Sequence, residues 1–365
     1  MTGVVASALA VDLGTTAAKA AVVLTDGSLA GTGTRAITTT FGPNGSATQD
    51  PTEIWAAVVG ACSDALSQAE ARNGTRTVDV ICTASQWASI VAVDAKNGEL
   101  LWDAKVGEAK SAYAMTVAPL VVKDTVIVGV GGGEYGIRGF IAAYDAKTGK
   151  EAWRFNTIPG PGEPGHETWS GDDWMYGGAS VWITGSYDPA LNLTYWGIGN
   201  PGPDWNPNQR PGDNLYSDSV VALDADTGKL KWHFQFTPHD LHDWDANHVP
   251  VLGEVAIGPD GGQPRKVVMM ANRNGFFYVI DRTNGKLLLG KPFGEQRWAR
   301  EVDANGRPIV LNETGTKECI PDAHGSTNFQ PPSYDPKRGL FFVNTRETCA
   351  AYFPAKQEIL PGLAS

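Results

Sequence analysis

The stretch Ala143-Tyr-Asp-Ala-Lys-Thr-Gly-Lys-Glu-Ala-Trp153 carries a pattern, A-x-D-x-x-T-G-x-x-x-W, that decides the fold because it repeats. The same spacing recurs over Ala92–Trp102 and Ala222–Trp232, and a weaker copy covers Ile280–Leu289. Each copy places an Asp/Gly turn between two short runs of β-prone residues. We therefore predict, in each copy, a strand, a tight turn and a second strand that ends in Trp.

Repetition of this unit predicts a propeller. A unit of this size cannot bury its large Trp alone, so the copies must stack against one another. A β-propeller satisfies this requirement because its blades pack side by side around an axis. The alternative is a β-sandwich in which Trp recurs by coincidence, and three complete copies of the pattern disfavour it. The long stretch between the second and third copies is typical of loops that carry a site.

Composition excludes several classes of protein. The 365 residues leave room for two domains, and 42% hydrophobic with only 19% charged residues excludes a disordered chain. A formal net charge of -11 argues against nucleic acid or an anionic membrane as the partner. No apolar run reaches the roughly 20 residues that a membrane-spanning helix needs.

Residues 1 to about 90 are typical of an α/β fold instead. Apolar runs on both sides of Gly14 predict a hairpin. Asp50, Pro51 and Glu53 predict a helix start with an N-cap and a reciprocal capping carboxylate. The predicted elements are strands at 8–13, 19–24, 35–41 and 78–83 and a helix from 50 to about 72.

The most polar segment is His239-Asp-Leu-His-Asp-Trp-Asp-Ala-Asn-His248. Its residues allow three interpretations. His239, His242 and Asp243 could bind zinc, the segment could be a solvated acidic loop, or it could hold a catalytic base beside a metal ion.

From about residue 91 to 360 the chain resembles the quinoprotein alcohol dehydrogenases. Besides the repeat, the resemblance rests on five motifs: Gly131–Gly139 (GGGEYGIRG), Gly178–Trp182, Gly197–Pro201, Arg210–Asn214 and Thr237–Asp240. It implies a mainly β fold, a partial eight-bladed propeller, with pyrroloquinoline quinone (PQQ) and Ca²⁺ or a lanthanide as cofactors. The domain expected at 91–365 would oxidise a primary alcohol, or a sugar or polyol, and pass electrons to a cytochrome c-type acceptor.

The resemblance also assigns a metal site and a base. Glu134 and Asn200 match metal ligands, although a Glu in a Gly-rich turn is by itself typical of a solvated loop. Asp243 falls where the family keeps its catalytic aspartate, which favours the third interpretation of the polar segment. Asp245 matches an additional ligand of lanthanide-using relatives, or it is a structural hydrogen-bond acceptor.

The remaining assignments concern the cofactor pocket. Trp182 resembles the indole beneath the quinone, and Arg273 the arginine that binds its reactive oxygens. Trp102, Trp153 and Trp232 are assigned to blade packing instead. Further expected cofactor contacts are Thr116, Gly132, Gly133, Ser180 and Asn328, and a structural disulfide is expected between Cys319 and Cys349. The implied mechanism is proton transfer from the alcohol to Asp243 and hydride transfer to the quinone, whose carbonyl the metal polarises.

The N-terminal part, 1–90, resembles the FGGY carbohydrate kinases, whose fold is actin-like (ribonuclease H-like). The resemblance rests on a phosphate loop containing Asp12, Gly14, Thr15 and Thr16, on Gln49–Trp55, and on Ser85-Gln86. The kinase motifs expected further along are not present, so we expect a truncated kinase fragment without kinase activity. The chain is interpreted as a chimera joined near residues 91–95, and an inactive fusion fragment is the alternative to an active dehydrogenase.

The two resemblances imply different compartments. The first residues lack the basic start and apolar core of a signal peptide, which predicts a cytoplasmic chain as written. The dehydrogenase family and its disulfide imply the periplasm.

Overall fold

The computed structural model describes residues 7–14, 16–24, 28–41, 47–74, 78, 80–84, 89–94, 96, 99–107, 112–257, 262–311 and 321–350. The chain divides into two compact units, Met1–Trp87 and Ala88–Ser365.

The N-terminal unit is a mixed sheet covered by one helix. Its elements are β1 (Ser7–Leu13), β2 (Ala17–Leu24), β3 (Leu29–Ala36), β4 (Thr40–Phe41), β5 (Ala47–Thr48), α1 (Pro51–Asn73) and β6 (Val80–Ala84). The strand order is β3-β2-β1-β6, in which β1 pairs antiparallel with β2 and parallel with β6. Apolar residues of the strands and the small residues of α1 form one core.

Helix α1 confirms the predicted helix. Asp50 caps it by accepting a hydrogen bond from Thr52 N at 2.7 Å, and the helix ends before Gly74, whose φ is 75°. The carboxylate of Glu53 accepts hydrogen bonds from the backbone N–H and the hydroxyl of Thr38. It thereby ties the first turn of the helix to the segment after β3.

The predicted third strand at 35–41 is wrong, because β3 covers Leu29–Ala36. Its Gly31 and Gly33 argued against a strand in the sequence. The structure explains both glycines: a Cβ on either would lie 2.0 Å from a backbone oxygen of α1, that of Ala65 or Ala61 respectively. Glycine therefore allows the helix to approach the sheet closely.

The C-terminal unit consists of antiparallel sheets. Three are four-stranded: β9 (Leu120–Val122) to β12 (Glu151–Asn156), β13 (Ser186–Asp188) to β16 (Leu230–Gln235), and β17 (Val251–Ala256) to β20 (Leu287–Pro292). Their inner members are β10 (Thr125–Gly129), β11 (Phe140–Asp145), β14 (Leu193–Gly197), β15 (Ser219–Asp224), β18 (Pro264–Ala271) and β19 (Phe276–Asp281). Two-stranded pairs are β7 (Ser89–Val93) with β8 (Leu100–Lys105), β21 (Ala299–Val302) with β22 (Pro308–Val310), and β23 (Ser333–Asp335) with β24 (Leu340–Phe342).

The mainly β architecture of blade-like sheets is therefore confirmed. In each four-stranded sheet the strands follow one another in chain order, as in the blades of a propeller. The described residues contain three complete blades, and the expected total of eight stays a prediction.

The sequence repeat forms the last two strands of a blade, and its Trp joins that blade to the next. Each indole Nε1 donates a hydrogen bond to a carbonyl in the turn of the following copy: Trp102 to Ala146 (2.9 Å), Trp153 to Ala225 (3.1 Å) and Trp232 to Arg282 (3.1 Å). The indole also covers the turn glycine, so that a Cβ on Gly228 would lie 2.3 Å from the ring of Trp153. The stacking of copies is thus confirmed. The Trp, however, is the third residue of its strand and does not end it, because this position faces the neighbouring blade.

Antiparallel order places the connections of each blade at two opposite ends. The Asp/Gly turns, such as that between β11 and β12, lie at one end. The connections between the second and third strands of a blade, and those that lead to the next blade, lie at the other. In the part of the chain that the structure describes, no helix is both long and apolar enough to cross a membrane.

We expect Gly228→Ala to lower the free energy of unfolding more than Gly339→Ala. Both glycines have a φ of 67°, so each alanine bears about 1–2 kcal/mol of backbone strain. A Cβ at Gly339 meets open space, whereas at Gly228 it collides with Trp153, which adds about 1–3 kcal/mol. Denaturant unfolding followed by tryptophan fluorescence measures the difference; equal losses would contradict the proposed role of the Trp–Gly contact.

Candidate active site

Several connections at the end opposite the Asp/Gly turns come together. Gly178, which precedes β13, forms isolated bridges with Arg138 and Pro201. Gly199 N donates to Ser180 O at 2.7 Å, and Ala246 N donates to Ile198 O at 3.2 Å. These contacts join residues that lie between 19 and 48 positions apart in sequence, and the predicted site residues stand on or beside the segments that they join.

Glycines permit the close approach of these segments. A Cβ on Gly199 would lie 2.2 Å from Asp245 Oδ1 and 3.0 Å from Ser180 Oγ. A Cβ on Gly133 would lie 3.2 Å from the same Ser180 hydroxyl. The two Gly-rich motifs thus bring their backbones against the polar side chains of the site.

Arg273 connects the predicted base with its neighbours. Its Nη2 lies 3.0 Å from Asp245 Oδ2, and its Nη1 lies 4.0 Å from Asp243 Oδ1 and donates to Asp243 O at 2.9 Å. Nη2 also donates to Asn328 Oδ1 at 3.2 Å. The guanidinium carbon stands 5.6 Å from the centre of the Trp182 ring. Four of the predicted residues therefore surround one guanidinium.

Asn247 fixes Trp182 in place. Trp182 N donates to Asn247 Oδ1 at 3.1 Å, and Asn247 Nδ2 donates to Ser180 O at 3.1 Å. Thr116 Oγ1 donates to Trp182 O at 2.7 Å. The predicted cofactor contacts at Thr116, Ser180 and Trp182 therefore share one hydrogen-bonded framework.

Asn200 is held by two aspartates. Its backbone N–H donates to Asp245 Oδ1 at 3.1 Å, and its Nδ2 donates to the buried Asp204 Oδ1 at 2.7 Å. Burial, followed by the negative charge of the exposed Glu134, raises the pKa of Asp204 to about 7. Because the amide N–H faces Asp204, the amide oxygen of Asn200 is directed away from it.

The pKa of the predicted base, Asp243, is strongly perturbed. Burial, together with the charges of Asp245 and Asp204, raises the pKa of Asp243 well above its ordinary value. Asp243 also has a φ of 59°, a left-handed conformation that Asp and Asn tolerate better than other side chains. Strained backbone of this kind is common at functional sites.

The acidic groups do not form a compact metal cage. Among the described residues, no three His, Cys, Asp or Glu side chains are grouped so that they could hold a metal ion. Arg273 lies against both Asp243 and Asp245 and supplies positive charge there. The predicted ligands Glu134, Asn200 and Asp243 comprise two carboxylates and one amide, and their metal-binding role stays a prediction, as does that of Asp245.

The polar segment 239–248 is not a solvated loop. Asp240 accepts hydrogen bonds from His242 N and Trp244 N and is 1% exposed, and the rings of His242 and Trp244 stack at 3.9 Å. His239 Nδ1 lies 2.8 Å from Gly212 O. This packing holds the backbone of Asp243 in place.

Two further predicted features are the phosphate loop of the N-terminal unit and the disulfide, and each includes a residue outside the described ranges. Asp12 lies 3.9 Å from Lys19 Nζ on the facing strand, and the backbones of Gly14 and Thr16 bond to Ala17 and Ile37. Thr15 of the predicted phosphate loop and Cys319 of the predicted disulfide lie outside the described residues. Cys349 is exposed, and its pairing stays a prediction.

Comparison with known proteins identifies the second unit. The model of the family described as "Glucose/ethanol/alcohol dehydrogenase, beta-propeller domain", with PQQ as its short name, matches residues 108–306. The chain belongs to this family. The model of the "FGGY family of carbohydrate kinases, N-terminal domain" matches residues 7–118. Both resemblances stated from the sequence are therefore confirmed.

The relatives include enzymes of known name. Quinohemoprotein alcohol dehydrogenase ADH IIB of Pseudomonas putida is 42% identical over 310 residues, covering 80% of this chain and 44% of the relative. A lanthanide-dependent methanol dehydrogenase of Methylorubrum extorquens is 37% identical, covering 75% and 51%. The solved structure of a europium-containing methanol dehydrogenase superposes with a TM-score of 0.72 at 35% identity, covering 78% and 53%. The chain thus spans about half the length of these relatives.

Sequence reasoning missed three residues that organise this site of the family. Asn247 holds Trp182, and Asp204 holds Asn200, each through a hydrogen bond. The sequence around Asn247 indicates no such role. For Asp204 the only signal is a charged residue in a Gly/Pro-rich loop. Arg210 is the first residue of the motif Arg210–Asn214, and the motif alone does not indicate its role. It is fully buried and donates hydrogen bonds to four acceptors: Pro203 O, Asp204 O, Asp240 O and Asn214 Oδ1.

We expect Arg210→Lys to lower the free energy of unfolding by about 3 kcal/mol, although the charge is kept. A lysine cannot reach four acceptors at once, and the buried carbonyls left without a donor are costly. Arg307→Lys is the matched control: Arg307 is exposed and binds Asp213 through two nitrogens, so its loss should stay below about 1 kcal/mol. Denaturant unfolding of both variants measures this, and equal losses would contradict the assigned role of Arg210.

Proposed function

We propose that the C-terminal unit carries the site of a PQQ- and metal-dependent dehydrogenase that oxidises a primary alcohol, or a sugar or polyol, with Asp243 as the base. The observation that carries this proposal is the arrangement of Asp243 and Trp182 around the guanidinium of Arg273. Family membership and the names of the relatives support it.

The residues present fit the two cofactors. The Trp182 ring offers a broad apolar face beside the Arg273 guanidinium, which suits a flat, anionic quinone. Thr116, Gly132, Gly133, Ser180 and Asn328 would contact its polar edge. Glu134, Asn200 and Asp243 supply the oxygen donors that Ca²⁺ or a lanthanide prefers. When bound, PQQ would accept the hydride and the metal would polarise its carbonyl.

The chain's own residues would perform the proton chemistry. Asp243 would accept the proton of the alcohol hydroxyl on a carboxylate oxygen, and its burial makes that carboxylate a stronger proton acceptor. Arg273, 4.0 Å from that carboxylate, would stabilise negative charge that develops on the reacting oxygen. Trp182 would orient the flat cofactor. Asp245 would hold Arg273 in this position through their 3.0 Å ion pair.

The remaining expectations follow from the same relatives. One of them is named methanol dehydrogenase [cytochrome c] subunit 1, which supports a cytochrome c-type electron acceptor. A periplasmic location would suit such a partner. The alternative is an inactive chimera, which the FGGY match at residues 7–118 supports. ATP-dependent kinase activity is not proposed.

We expect Asp243→Asn to lower ethanol-dependent dye reduction by a factor of about 10² to 10⁴ while PQQ still binds. Asparagine keeps the shape and tolerates the left-handed backbone, but it cannot accept the proton. PQQ binding is followed by quinone absorbance in the presence of Ca²⁺ or La³⁺.

The control is Asp226→Asn, which removes the same charge at the opposite end of the blades, where Asp226 is exposed beside Lys123. It should leave turnover unchanged. Turnover that survives Asp243→Asn would disprove the assigned base, and absence of PQQ binding by the unaltered chain would favour the inactive chimera.

A further inference from the structure

When its carboxylates are ionised, the candidate site carries more negative charge than Arg273 balances. Four carboxylates belong to it: Glu134, Asp204, Asp243 and Asp245. They influence one another electrostatically, since the charge of Glu134 acts on Asp204, and the charges of Asp204 and Asp245 act on Asp243. Arg273 contributes one positive charge through its contacts with Asp243 and Asp245. With every carboxylate ionised, the group has three negative charges in excess.

The second buried arginine does not neutralise this excess through direct ion pairs. Arg210 directs its donors to three backbone carbonyls and to the amide oxygen of Asn214. Among these contacts, the one with Asp204 reaches its backbone oxygen and leaves its carboxylate to Asn200 Nδ2. The charge of Arg210 still acts on Asp204 through space, but it forms no direct ion pair with the Asp204 carboxylate.

Asp218 is a further buried carboxylate close to this group, since its N–H donates a hydrogen bond to Gly199 O at 3.0 Å. It is fully buried, and in the part of the chain that the structure describes neither of its carboxylate oxygens has a hydrogen-bond partner. The charges that act on it are those of Asp240, Asp245 and Asp243 and the opposing positive charge of Arg210. A buried carboxylate without a donor is costly unless a positive charge or a proton compensates it.

We propose that Asp204 makes this site select a trivalent over a divalent cation, an inference that rests on the proposed function. Two contacts give Asp204 this role. Its hydrogen bond to Asn200 Nδ2 turns the amide so that the oxygen is free for a cation. The Asp204 side chain is only 6% exposed, and the charge of Glu134 acts on it. The charge of Asp204 would therefore act on that cation through the protein interior and not through water.

The selectivity follows from Coulomb's law. The attraction between Asp204 and a cation is proportional to the charge of the cation, so a trivalent ion gains half as much again as a divalent ion of equal size. At an effective dielectric constant between those of the interior and water, one carboxylate roughly 6 Å away changes affinity about tenfold for each unit of cation charge.

The test uses Asp204→Asn in the full chain with PQQ present. Asparagine keeps an oxygen that accepts the hydrogen bond from Asn200, so the amide orientation is retained and only the charge is lost. Affinities for La³⁺ and Ca²⁺ are measured by competition against Tb³⁺ luminescence sensitised by tryptophan, a readout that does not depend on turnover. We expect the ratio of La³⁺ to Ca²⁺ affinity to fall about tenfold.

Asp226→Asn is the control for net charge and should leave the ratio unchanged, and thermal unfolding verifies that both variants fold. An unchanged ratio in Asp204→Asn, or equal losses for both cations, overturns the inference and leaves the proposed function standing. If the unaltered chain binds PQQ but neither cation, the metal-dependent part of the function fails together with this inference.

Discussion

The packing of one blade's Trp on the next blade's turn is the contact on which the propeller unit depends. An antiparallel sheet of four short strands exposes two faces, and neither can be buried within the sheet itself. The indole buries part of that surface, and its N–H finds a backbone acceptor in the neighbouring turn, as Trp153 does at Ala225. The turn glycine leaves room for the ring, since a Cβ on Gly228 would collide with Trp153. The distance between these blades therefore depends on both residues.

Local signals allowed most of the fold to be predicted. The repeat is local, so its strands and its turns could be derived from spacing alone, and α1 carried its own cap at Asp50. Strand β3 could not be derived, because Gly31 and Gly33 weaken a strand by themselves and are explained only by the helix packed on them. The exact place of Trp in its strand likewise depends on the adjacent blade.

The candidate site could be predicted only in part, for a similar reason. Asp243, Arg273 and Trp182 stood in motifs that resemble a family, and the structure brings them together. Asp204 and Asn247 act through hydrogen bonds across loops that are far apart in sequence, and no spacing rule indicates such partners. Both are identified only by the polar contacts of Asn200 and Trp182 in the folded chain.

The separation of the two ends of the blades has a consequence for how this protein can change. Trp and Gly positions at the turn end are constrained by one another, since a substitution in one blade alters the fit of its neighbour. The connections at the opposite end contact one another only around the candidate site, as Gly199 does Asp245, and the one between β12 and β13 runs from residue 157 to 185. Insertions in the parts of these connections that do not contact the site can change the surroundings of Asp243 while the interlocked frame keeps its dimensions, so the site and the stability of the frame can evolve on separate parts of the chain.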